Sequence, residues 1–113
     1  MKTRTVYRYE NVFGRGPYRG ATWYDASAWD CMCDSHANMQ HPTWALDFDI
    51  DQFEGFNRRD YLAACDSRES LNAWFDGWHD VLRANGFKVV EYTVPAENVA
   101  DSISGTQVAF RKV

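Results

Sequence analysis

The run from Asp66 to Val113 constrains the fold most, because its residues fall in the order of a capped helix, a stop, a strand and a turn back into a second strand. Asp66 and Glu69, three residues apart, have the spacing of a capping box. Leu71, Trp74, Phe75, Trp78 and Leu82 then recur at helical spacing and make one apolar stripe. Asn85-Gly86 is a helix stop, since glycine accepts the left-handed conformation that ends a helix. Phe87 to Val94 reads as a strand with Val90, Tyr92 and Val94 on one face, and Pro95 closes it. After a Ser-Gly turn, Thr106 to Lys112 reads as the last strand. A helix over about 67–85 with a single apolar face must bury that face against another layer. The chain is therefore α+β, a mainly antiparallel sheet with one long amphipathic helix packed on one face.

Thr3 to Glu10 supplies a further strand, with Thr5, Tyr7 and Tyr9 on one face and Val6, Arg8 and Glu10 on the other. The sheet is expected to join this strand to the two late ones. A short helix is expected near 25–34, where Asp25 can cap a segment carrying Ala28, Trp29, Met32 and Cys33 on one side. His41-Pro42 should break it. From Trp44 to Phe56 the chain is acidic and aromatic, with Leu46, Phe48 and Ile50 alternating with Asp47, Asp49 and Asp51, which suits an edge strand or extended loop. At 113 residues the chain suits a single domain, 1–113.

A formal charge of −4 disfavours direct binding to nucleic acid as a function class. No apolar run approaches the ~20 residues needed to cross a bilayer, and the N-terminal residues enter a strand pattern with no signal-peptide core, so a cytoplasmic protein is expected. Aromatic residues make up 16% of the chain and include five Trp. So many rings exceed what a small core needs, and some should face outward or line a cleft.

Cys31, Cys33, His36 and His41 lie close together and carry the ligand types zinc prefers. A single residue between the cysteines sends them to different faces of a helix, so reduced thiols without a metal are expected. Asp47, Asp49 and Asp51 open like a calcium loop, but Gln52 and Arg58 stand where glycine and glutamate are required. The segment Gly14-Arg-Gly-Pro-Tyr-Arg-Gly20 is the best ligand candidate, because glycines expose backbone N–H groups while Arg15 and Arg19 offer fork-shaped donors. It lacks the Lys-Ser/Thr of a P-loop. His41, Asp47 and His79 could serve as acid and base only if folding brings them together. No Ser/His/Asp order is present, Cys65 is not expected to act as a nucleophile, and no catalytic residue or cofactor is assigned.

Tyr7-Arg8-Tyr9-Glu10, Gly16-Pro17-Tyr18-Arg19, His41-Pro42, Ser70-Leu71 to Trp74-Phe75, Gly86-Phe87 with Val90, Tyr92 to Pro95, and Gln107-Val108-Ala109-Phe110 together resemble small proteins of bacteriophages and prophages. Those relatives commonly have Cys-Gly-Phe before the helix, where this chain has Cys65-Asp66-Ser67. The resemblance implies a phage accessory protein, a class that includes anti-defence inhibitors such as anti-CRISPR proteins. A fainter similarity to the ADP-ribosyltransferase-like fold implies that Arg8 and Gln107 stand where such enzymes place an early arginine and a late glutamate. Gln107 has no carboxylate for that chemistry.

The function expected from these features is binding and blocking of a host protein complex in the host cytoplasm, with no membrane partner. Trp23, Tyr24 and Trp44 would anchor the contact beside Arg15, Tyr18 and Arg19, because interface energy concentrates in Trp, Tyr and Arg. The competing reading places those rings in a second layer of core. The alternative function is a nucleotide-binding or degenerate ADP-ribosyltransferase-like enzyme, with Arg8, Arg15, Tyr18, Arg19 and Gln107 holding the ligand and His41 or Gln107 near the reacting group.

Overall fold

The computed structural model describes residues 2–18, 23–35, 48 and 61–112. Strand β1, Thr3–Glu10, has the bounds expected from its alternation. It pairs antiparallel with β3, Lys88–Pro95, in a register running from Thr3 opposite Pro95 to Glu10 opposite Lys88. Three short strands form a second sheet in the order β2 (Leu62–Ala64), β5 (Val108–Phe110), β4 (Val99–Asp101), all antiparallel. The last strand therefore lies between β2 and β4 and does not join β1 and β3 as expected. The sheets are linked where Tyr7 and Cys65 exchange two backbone hydrogen bonds of 2.8 Å each.

The long helix is two helices, α2 (Arg68–Trp74) and α3 (His79–Ala84), separated by a turn from Phe75 to Trp78. Gly77 supplies the reason, since it sits at φ 82°, a conformation that no helix interior contains. The apolar stripe survives the break, with Leu71, Phe75 and Leu82 all buried. The cap lies one residue later than the capping box implies: Ser67 Oγ accepts the Ser70 N–H at 3.0 Å, and Asp66 accepts from the Ser70 hydroxyl at 3.2 Å. The stop at Gly86 is as expected. Phe87 N–H donates to the Leu82 carbonyl at 3.0 Å and Gly86 N–H to that of Arg83 at 3.1 Å, the paired bonds of a Schellman ending. Helix α1, Ala26–Ser35, begins at Asp25, whose Oδ1 accepts from Ser27 and Ala28 N–H at 3.0 and 3.3 Å.

Both faces of β1 are covered. Tyr9 packs with Leu71, Phe75, Leu82 and Phe87 on the helical side, where Trp23 and Met32 join the same cluster. On the other side Val6 packs with Ala64, Val94, Val108 and Phe110. Phe48, Tyr61 and Ala109 form a smaller third cluster. No helix among the described residues is long and apolar enough to cross a membrane.

Candidate functional site

After β1 the chain makes a tight turn whose geometry follows from one asparagine. The Asn11 carbonyl accepts the Gly14 N–H at 3.0 Å, and Asn11 N–H donates to the Arg15 carbonyl at 3.0 Å. The Asn11 side-chain oxygen accepts two further amides, Phe13 N–H at 2.9 Å and Arg15 N–H at 3.1 Å. Asparagine at the first position of a β-turn and glycine at the fourth is the pattern such turns favour, and Gly14 adopts φ 74°. Asn11 itself is buried, so the turn is fixed from beneath. Its corner residues cannot point inward: Val12 is 80% exposed and Phe13 78% exposed, and Arg15 beside them is exposed.

The segment following the turn is anchored in three places. Gly16 lies so close to Arg8 that a Cβ there would stand 2.7 Å from the guanidinium Nη2. The Pro17 carbonyl accepts the Trp23 indole N–H at 2.6 Å. The Tyr18 hydroxyl accepts the Trp74 indole N–H at 2.6 Å, and its ring lies 6.2 Å from that of Phe75. A projecting apolar tip thus stands on a base tied to β1, α2 and the segment preceding α1.

Of the ligand candidates, Arg8 and Gln107 lie inside the protein. Arg8 is 8% exposed and forms an ion pair with Glu10, itself 6% exposed, at 3.2 Å. The Tyr92 hydroxyl lies 2.8 and 2.7 Å from the two oxygens of the same carboxylate. Arg8 therefore holds the core and the loop base together, and it is not presented to solvent as a ligand donor. Gln107 is buried where the last turn enters β5, with its N–H donated to Ser102 Oγ at 3.4 Å. Arg15 is exposed and Tyr18 is open at 41% with its hydroxyl turned to Trp74, while Arg19 lies outside the described residues.

Among the interface candidates Trp23 is only 7% exposed and packs 5.4 Å from Phe87, so it is a core ring. Tyr24 is 78% exposed, over Gly86. Trp44 lies outside the described residues, as do His36, His41, Asp47, Asp49 and Asp51. Cys31 is exposed and Cys33 half-buried, as expected from their one-residue spacing on α1. No group of three metal-binding side chains occurs among the described residues.

His41 and Asp47, the partners expected for His79, lie outside the described residues. The His79 Nε2 lies 3.2 Å from the Asn72 carbonyl, which can only accept, so Nε2 carries the proton. Nδ1 then accepts the hydroxyl of buried Tyr9. The Gly77 turn brings α3 back over α2 to close this contact, which is structural.

Burial raises the phenols of Tyr9 and Tyr18 above their usual range and pushes the Cys65 thiol up to about 12 from 9.0, with the Asp66 charge adding to it. The fold favours the neutral form of each group. Stability from Cys65 is therefore complete below pH 9.0 and declines as pH climbs towards about 12. The thermal midpoint should fall between neutral pH and about pH 10.5, and Cys65→Ala should shrink that fall. A flat profile would contradict it.

Sequence reading missed Val12 and Phe13, although the Asn-x-x-Gly spacing around them signals a turn whose corners must face outward. Comparison with curated proteins and with solved structures finds no match. A family model described as the bacteriophage T4 Y00F protein matches residues 1–113, and the chain belongs to that family of phage proteins.

Proposed function

We propose that this phage protein is an accessory factor that binds a host protein complex of the immunity machinery and blocks it by covering a functional surface. The observation that carries the reading is the Asn11–Arg15 turn, which holds Val12 and Phe13 out in solvent on four hydrogen bonds. Exposing two adjacent apolar side chains forgoes about 1.5–3 kcal/mol of burial for each, and the turn that faces its corners outward does not require those corners to be apolar. A backbone held in shape before binding loses little entropy on contact, and aromatic rings, phenylalanine among them, are enriched with arginine at protein interfaces. Tyr24 adds a further exposed ring. The nucleotide-binding or transferase-like alternative draws no comparable support, since its Arg8 is buried against Glu10.

Affinity capture from a host lysate tests the reading. The wild-type chain should retain a stoichiometric partner, and Phe13→Ala should lose at least about 30-fold in affinity. Its thermal midpoint should match that of the wild type, because Phe13 supports nothing beneath it. Equal retention by the variant would remove the turn from the contact, and no partner for either protein would remove the function.

A further inference from the structure

Resting on that reading, we infer that the host surface taken by the turn is an apolar pocket rimmed by carboxylates. The chain is acidic as a whole, with a formal charge of −4. The segment from Asn11 to Tyr18 has the opposite balance: it contains one arginine and no acidic residue. The nearest acid in sequence, Glu10, is turned inward and occupied by Arg8 and Tyr92. Four arginines pair with carboxylates among the described residues, Arg4 with Asp101, Arg8 with Glu10, Arg68 with Glu91 and Arg83 with Asp80. Arg15 makes no ion pair among those residues, although it is exposed on an acidic protein.

The backbone bonds that fix Phe13 fix Arg15 as well, since both amides donate to the same Asn11 oxygen. A ring and a guanidinium two residues apart thus leave the same fixed stretch of backbone. The ring asks for a cavity without charge, and the guanidinium asks for a planar acceptor at its edge, which a carboxylate supplies in two-pronged geometry. A protein surface provides both. Phosphate-rich nucleic acid would answer the arginine and repel the rest of the chain.

The test uses the full chain and the host protein it captures, titrated at about 0.1 M and about 1 M salt, where the screening length falls from roughly 10 to 3 Å. Arg15→Glu should weaken binding at least about 10-fold at the lower salt, and the gap to wild type should close to about 3-fold at the higher salt. Phe13→Ala should lose its roughly 30-fold at both. Arg15 variants that bind like wild type at low salt would overturn the carboxylate rim, leaving the host contact standing. Retention of nucleic acid, or of a second copy of this chain, in place of a host protein would overturn the assigned partner. Capture of nothing by wild type would overturn the host-binding reading itself and this inference with it.

Discussion

Glu10→Ala is expected to remove about 3–5 kcal/mol of folding stability, because it takes away the carboxylate facing a guanidinium that stays buried. Arg8 is 8% exposed and Glu10 6%, and the carboxylate also binds the Tyr92 hydroxyl. A domain of this size has about 5–15 kcal/mol in total, so the variant should stand near the edge of unfolding. Replacing both members, Arg8→Met with Glu10→Leu, should lose far less, since neither charge is then left behind. Urea titrations of the single and double variants provide the comparison. A single variant within about 1 kcal/mol of wild type would show that the pair is not held away from water.

Phe110→Ala is expected to be as damaging, at about 3–5 kcal/mol, through a different cause. Phe110 is fully buried on the middle strand of the second sheet, and its ring lies 5.4 Å from that of Tyr92 on β3. It packs with Val6 and Val94 from the first sheet and with Ala64 and Val108 from the second. Truncating it opens a cavity between the sheets, whose direct ladder among the described residues is the Tyr7–Cys65 pair of backbone bonds. The unfolding midpoint should drop, and the transition should broaden if the sheets then part independently. A loss near 1 kcal/mol would mean that the sheets hold together without this ring.

What could be read from the sequence was local. Asp25 capping α1, the helix stop at Gly86 and the bounds of β1 each depend on a few neighbouring residues, and the structure has them as expected. The single long helix failed because the apolar stripe runs on across Gly77, whose φ of 82° ends the first helix. Strand partnership failed for a different reason. Val99–Asp101 and Leu62–Ala64 are too short to show alternation, and β5 between them looks from its own residues as suited to β1 as to either.

The site was legible in part. The glycine segment stands out for its backbone N–H groups and arginines, whereas Val12 and Phe13 just before it signal less strongly than the large rings of Trp23, Tyr24 and Trp44. Trp23 shows why ring size misleads: its indole N–H reaches the Pro17 carbonyl, so the large side chain is buried with its one polar atom satisfied. Alternation does not place Arg8, because it shares a face with Glu10 and two charges on one face suggest solvent, whereas both are buried.

The central claim is that the turn is held in its binding shape before any partner arrives. Amide hydrogen exchange at Phe13 and Arg15 in the free protein tests this most directly, because both N–H groups donate to the Asn11 side chain. They should exchange at least about 10-fold more slowly than in an unstructured chain, and Asn11→Ala should abolish that protection while core amides of β1 keep theirs. Exchange of Phe13 and Arg15 at unstructured rates in the wild-type protein would contradict the account.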